Sequence, residues 1–118
     1  MQQLEDRQTN HQSTVLEVVG NIVEQSISIL IDPSSTHSYI TPRVVEVCAL
    51  RKEKHSKSWL VQLATGTKRK INEVVEKCPL VINGLSTCVD LNILPLGSYD
   101  VIIGMDWLRS SQGEARLL

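Results

Sequence analysis

The chain has 118 residues, and its 12 basic and 13 acidic side chains leave a formal net charge of −1. That length holds one domain, and hydrophobic and charged shares of 42% and 21% exclude a disordered, collagen-like or coiled-coil chain. The near-neutral balance excludes a global field that would draw in nucleic acid or an acidic membrane.

Aromatic residues make up 3% and Phe is absent, so the core must be aliphatic. Val, Ile and Thr form about a quarter of the chain, a β-branched weight that leans towards sheet. Residues 1–13 are polar, with no apolar stretch for a signal peptide, and read as a tail or linker. From Thr14 two β-branched runs flank Gly20-Asn21, which predicts a hairpin turn there. The second run alternates through Ser26-Ile27-Ser28-Ile29, ends apolar at Leu30-Ile31, and is closed by Asp32-Pro33-Ser34-Ser35. Thr41-Pro42 predicts a short helix ending near Leu50, with Thr as N-cap and Pro at the first helical position.

The charged stretch 51–58 reads as a surface loop, followed by a strand over 59–65, a turn at Gly66 and a returning strand over 68–78. Residues 79–89 read as a hairpin turning at Asn83-Gly84, the strongest turn signal in the chain. A strand over 90–94, a buried strand at Val101-Ile102-Ile103-Gly104 and a helix from Met105 complete the elements. Residues 110–118 form a polar C-terminal tail, so the folded domain is 14–109.

No apolar run approaches the roughly 20 residues of a membrane span. The three cysteines, Cys48, Cys78 and Cys88, form no Cys-x-x-Cys pair. They predict reduced thiols in a cytoplasmic setting and buried apolar packing. Scattered Cys and His positions give no tetrahedral metal site, and no cofactor motif is present. The basic clusters 51–57 and 68–70 lack the aromatic platform of a nucleic-acid surface and read as solvated faces.

Asp32 is the informative residue. An aspartate directly after an apolar strand is either a turn residue bonding its own backbone or a carboxylate presented, partly buried, at a strand end. Two later segments bear on it: Leu63-Ala64-Thr65-Gly66-Thr67, a hairpin tip, and Ile102-Ile103-Gly104-Met105-Asp106-Trp107-Leu108, a strand running into a helix.

In this order the chain resembles the retropepsin-like aspartic proteases, most closely the protease domain of plant Ty3/Gypsy-type retrotransposon polyproteins. Leu30-Ile31-Asp32-Pro33-Ser34-Ser35-Thr36-His37-Ser38-Tyr39-Ile40 is similar to the family's Leu-Ile-Asp-Ser-Gly-Ser-Thr-His-Ser-Phe-Ile. Val61 to Gly66, Asp90 to Leu96 and Gly104 to Leu108 match its hairpin, its Asp-Leu-x-x-Leu-Pro-Leu and its Gly-Met-Asp-Trp-Leu. The resemblance implies an all-β retropepsin-like barrel with one or two short helices. It implies an aspartic endopeptidase that hydrolyses peptide bonds of a polyprotein as a homodimer, without metal or other cofactor. Asp32 would be the catalytic carboxylate, and Pro33, Ser34, Ser35 and Thr36 its loop, with Ser35 bonding the outer oxygen of Asp32. Ala64, Thr65, Gly66 and Thr67 would be a flap closing over the peptide. Ile102, Ile103 and Gly104 would pack under the loop.

Asp32-Pro33-Ser34 departs from the family's Asp-Ser/Thr-Gly. Pro33 lacks the hydroxyl that clasps across the dimer axis, and Ser34 adds a side chain where glycine is usual. The expectation is a crowded loop that Ser34→Gly relieves. The same departure keeps open a second class of function, a non-catalytic dimerisation or peptide-binding module. His37 is read as structural, Asp106 as a helix-start or dimer-contact residue, and Asp90 and Asp100 as solvent-facing or turn residues.

Overall fold

The alternating Ser26-Ile27-Ser28-Ile29 forms the middle of a strand paired on both sides, its isoleucines buried in the core. The structure is a computed structural model describing residues 15–62, 66 and 68–109. The predicted tails and the flap residues Ala64, Thr65 and Thr67 lie outside the described residues.

The elements are β1 (Leu16–Ile22), β2 (Gln25–Ile31), β3 (Tyr39–Ile40), α1 (Pro42–Val47), β4 (Glu53–Gln62), β5 (Lys68–Ile82), β6 (Leu85–Ile93), β7 (Val101–Ile103) and α2 (Met105–Leu108). The strand order is β1-β2-β7-β3-β6-β5-β4, and β1 also pairs with β5, so six strands close into a barrel and β4 lies on β5 outside the ring. β2 and β7 pair in parallel, as do β3 and β6, while β3 and β7 run antiparallel. This is the predicted all-β barrel with short helices.

The pleat sorts the aliphatic side chains onto two faces. Ile27, Ile29 and Ile31 of β2 join Ile103, Leu80, Ile82, Leu91 and Val101 in the larger cluster. Leu30 and Ile102 face the other way and pack with Tyr39, Val61, Ile71 and Leu94, which joins β4 and β5 to that face. Each buried Ile or Leu contributes about 1.5–3 kcal/mol. With both faces covered, β2 and β7 are apolar at consecutive positions, as buried parallel strands are.

Several boundaries differ from the sequence reading. Gly20-Asn21 is no turn: β1 runs through it to Ile22, and the chain turns at Val23-Glu24, with Val23 at φ 58°. Gly20 marks a close approach instead. It lies opposite Ile82 where β1 meets β5, and a Cβ there would collide with the Val81 carbonyl and lie 2.6 Å from Ile29 Cδ1. The charged stretch expected as a loop over 51–58 is strand from Glu53 onwards, with a register shift between Lys54 and Trp59. Pro79 is the inside of β5 rather than the start of a new hairpin. The strand continues through it opposite Cys88, and neither β4 nor β1 pairs with β5 at that point, so no amide is demanded of it. A bulge between Val75 and Cys78 puts Lys77 at φ 49°, and the Lys77 amide donates to Asp90 Oδ1 at 2.8 Å.

The Asn83-Gly84 turn is present as predicted, with both residues at positive φ, 52° and 78°. Helix α1 starts at Pro42, though Thr41 caps it without a side-chain hydrogen bond. It stops at Val47 rather than near Leu50. Ala49 takes φ 52° and the Leu50 amide donates back to the Val45 carbonyl at 2.9 Å, a left-handed helix stop.

The cysteines divide. Cys78 is buried, Cys48 is intermediate, and Cys88, expected inside, is exposed because it faces outward on β6. Burial, with smaller contributions from Cys48 and Cys88, pushes the Cys78 thiol up to about 12. An alkylating reagent at pH 8 is therefore expected to label Cys88 rapidly and Cys78 only on unfolding. Mass spectrometry of timed aliquots checks this, and fast labelling of Cys78 would contradict the packing of β5. For the barrel seam, Gly20→Ala is expected to lose about 1–3 kcal/mol in urea denaturation, and Asn21→Ala, whose side chain is exposed, about 0.5 kcal/mol or less.

Candidate active site

Asp32 leaves the end of β2 without leaving the sheet. Its amide donates to the Ile103 carbonyl at 2.8 Å, continuing the parallel β2–β7 pairing by one residue. The chain then turns tightly, with the Ser35 amide donating to the Asp32 carbonyl at 3.0 Å. Asp32 is fully buried, Pro33 and Thr36 are exposed, and Ser34 is half-buried. Both readings of Asp32 therefore hold at once: it is a turn residue and a buried carboxylate at a strand end.

The hydroxyl on Asp32 is not the expected one. Ser34 donates both its amide, at 3.0 Å, and its hydroxyl, at 2.7 Å, to Asp32 Oδ1. Ser35 Oγ instead donates to the His37 carbonyl at 2.8 Å. Ser34 is absent from the residues with positive φ, so its backbone asks nothing that only glycine could give.

Below the loop lies Gly104. A Cβ there would lie 2.6 Å from the Ser35 carbonyl and would also overlap the His37 carbonyl. The missing side chain lets the loop sit directly on the start of α2. The Met105 amide donates to Ser35 O at 2.7 Å and the Asp106 amide to Thr36 O at 3.1 Å. Amides at a helix start have no partner within the helix, and here the loop carbonyls accept them. Ile102 and Ile103, the two residues before Gly104, are buried.

A hydrogen-bonded group that the sequence reading missed locks the far end of the loop. Ser38 is fully buried. Its amide and hydroxyl donate to the Asp106 carboxylate at 3.1 and 2.6 Å, and its hydroxyl accepts from the Gly104 amide at 2.9 Å. Asp106 also accepts the Trp107 amide at 2.8 Å, so it stands in the first turn of α2, where a carboxylate is favourable. Asn92 on β6 donates its amide and its Nδ2 to the Ser38 carbonyl at 2.9 and 3.1 Å. Asn92 Oδ1 lies 2.7 Å from His55 Nε2. Since Nδ2 is the donor to Ser38, Oδ1 is the acceptor, and His55 carries a proton on Nε2.

His55 and His37 both pack on Trp59, at centroid distances of 4.9 and 5.5 Å. These rings, with Val74, Glu76, Asp90, Asn92 and Asp106, line a cleft of about 220 Å³ beside the loop. His37, read as structural, accepts from Ser35 Oγ through its carbonyl and packs its ring on Trp59. Asp100, read as a solvent-facing or turn residue, accepts the Ser28 amide at 2.9 Å and lies 3.6 Å from Arg43. One sequence signal for His55 and Trp59 was available: both share the odd-numbered positions of β4 with buried Val61. Among the described residues no group of three or more His, Cys, Asp or Glu could hold a metal ion. Gly66, the described member of the predicted flap, has φ 93° and open space around it.

The chain as a whole matches a known family. The family model described as Retroviral aspartyl protease covers residues 2–117. The chain belongs to the retroviral aspartyl protease family. Among solved structures, the retroviral protease-like domain of Ddi1 from Leishmania major is similar in fold, with a TM-score of 0.62 and 21% identity over 84% of this chain and 78% of that one. No curated protein matches the chain.

The Ser38 group yields a prediction for the family fold. Ser38→Ala removes a buried hydroxyl that both donates and accepts, and is expected to cost about 1–3 kcal/mol. Combined with Asp106→Ala the losses should fall short of additive, because both changes cut the same bonds. Denaturant titration of the four proteins measures this; full additivity would mean that Ser38 and Asp106 act separately.

Proposed function

We propose that this chain is an aspartic endopeptidase domain of a retrotransposon polyprotein of the Ty3/Gypsy type, acting as a homodimer. The observation that carries the reading is Asp32: a fully buried carboxylate at the end of β2, in a loop seated on Gly104, in a chain of this family. One such loop per chain supplies half a catalytic pair, and a two-fold axis supplies the other half. Two carboxylates roughly 3 Å apart cannot both ionise, so the pair shares one proton. The ionised Asp32 takes a proton from water as the water attacks the peptide carbonyl, and the protonated Asp32 donates to the carbonyl oxygen. Electrons move from water to carbon and from the carbonyl bond to oxygen; as the resulting diol collapses, the C–N bond breaks, the newly protonated Asp32 gives its proton to the leaving amine and the other takes one from the diol, so neither a metal nor a covalent intermediate is needed.

The hairpin containing Gly66 is assigned as the flap over an extended peptide substrate. Three free thiols suit a reducing, cytoplasmic setting. The Asp32-Pro33-Ser34 sequence favours a second reading, in which the same barrel is a dimerisation or peptide-binding module without catalysis.

The deciding experiment is cleavage of a fluorogenic peptide library near pH 5, with the solution mass measured in parallel. The proposed enzyme is expected to cleave, to sediment as two chains, and to lose all turnover on Asp32→Asn. Peptide binding or dimerisation without cleavage would select the second reading, and a monomer that does neither would overturn both.

A further inference from the structure

Ser34 occupies the position where a glycine was expected, and its side chain is not idle. Its hydroxyl donates to Asp32 Oδ1 at 2.7 Å while its amide donates to the same oxygen at 3.0 Å. Both bonds lie within one chain. The hydroxyl expected to hold the loop from across a dimer axis is missing, because residue 33 is proline.

We infer that Ser34 is a positioning residue for Asp32, and that the Asp-Pro-Ser loop holds its carboxylate by a hydroxyl clasp inside each subunit. The inference rests on the reading of Asp32 as the catalytic carboxylate.

The geometry supports this in three ways. First, a carboxylate rotates about its Cβ–Cγ bond unless one oxygen is tied, and two donors on Oδ1 fix that rotation. Second, the clasp works in both protonation states. Neither donor requires Asp32 to be ionised, since a carboxyl group keeps an acceptor oxygen in either state. A carboxylate fixed in this way presents the same geometry in every turnover, which productive positioning requires. Third, the backbone supports the clasp without strain. Pro33 fixes its own φ, Ser34 avoids the left-handed region, and the Ser35 amide closes the turn on the Asp32 carbonyl at 3.0 Å. Proline and serine together thus replace a clasp between subunits by one within the chain.

This reverses the expectation that Ser34 crowds the loop. Glycine at 34 would keep the amide bond to Oδ1 and lose only the hydroxyl. The test compares the unmodified chain with Ser34→Ala, Ser34→Gly and Ser34→Thr. In peptide cleavage, Ala and Gly are expected to lower kcat by about tenfold or more, the equivalent of one hydrogen bond to a charged group. KM should stay within about twofold, because a tilted carboxylate affects the reacting atoms and leaves peptide pairing unchanged. Thr restores the hydroxyl and should recover most of kcat. A gain in kcat with Ser34→Gly would overturn the inference and restore the crowded loop.

A second arm needs no activity. Ser34→Ala is expected to lower the thermal midpoint by about 4–8 °C in the unmodified chain and to change it little in an Asp32→Ala background, where the acceptor is gone. Equal shifts in both backgrounds would mean that the hydroxyl does not act through Asp32, and would overturn the clasp. If the unmodified chain cleaves nothing, the endopeptidase reading fails on its own, and the thermal comparison still decides whether Ser34 holds Asp32.

Discussion

At Gly104 two carbonyl oxygens, those of Ser35 and His37, stand where any side chain would have to go. The rest of the site depends on that closeness. It lets the loop after β2 lie flat on the start of α2, so that loop carbonyls accept the amides of Met105 and Asp106. A helix of four residues, Met105–Leu108, has almost no stability of its own. Packed against the loop it gains partners for its first amides, and the loop gains a floor. Asp32 is held by the same contact, through the Ile103 carbonyl one residue before Gly104.

Polar groups then join elements that the apolar core leaves apart. The core clusters are aliphatic and fix the barrel without direction, since burial is proportional to area and not to orientation. Orientation comes from Ser38, buried between Asp106, Gly104 and Asn92, with each of its donors and acceptors engaged. A buried hydroxyl without partners would oppose folding, whereas one that closes a network of named partners selects a single arrangement. His55 extends the network to β4, the strand outside the ring, and packs on Trp59 of the same strand. The strand that leads to the Gly66 hairpin is thereby tied to the loop that carries Asp32. The link runs through Asn92, a residue that is nearly fully buried.

Gly20 and Gly104 thus serve the same purpose, a close approach of backbone. Gly20 lets β1 cross β5 and closes the ring, and Gly104 lets the loop meet α2. Neither is a turn. A glycine between β-branched runs reads as a hairpin because most such glycines are, and only the carbonyl of Val81, 61 positions away along the chain, makes Gly20 something else.

Local patterns determined much of this protein. Alternation at 26–29 specified β2, Asn83-Gly84 specified the hairpin between β5 and β6, and Thr41-Pro42 specified the start of α1. The ordered set of Asp32, the Gly66 hairpin and Ile102-Ile103-Gly104 pointed to the family and to the fold, because each depends on residue types at short spacing. Tertiary structure alone decided the rest. Whether Gly20 turned or crossed, whether 53–58 joined a strand, and which serine reached Asp32 were set by atoms distant in sequence or by side-chain rotation. Ser34 and Ser35 are chemically identical neighbours, and nothing in their order says which hydroxyl faces the carboxylate. The turn closed by the Ser35 amide on the Asp32 carbonyl points one towards Oδ1 and the other towards His37, and that choice exists only once the loop is seated on Gly104.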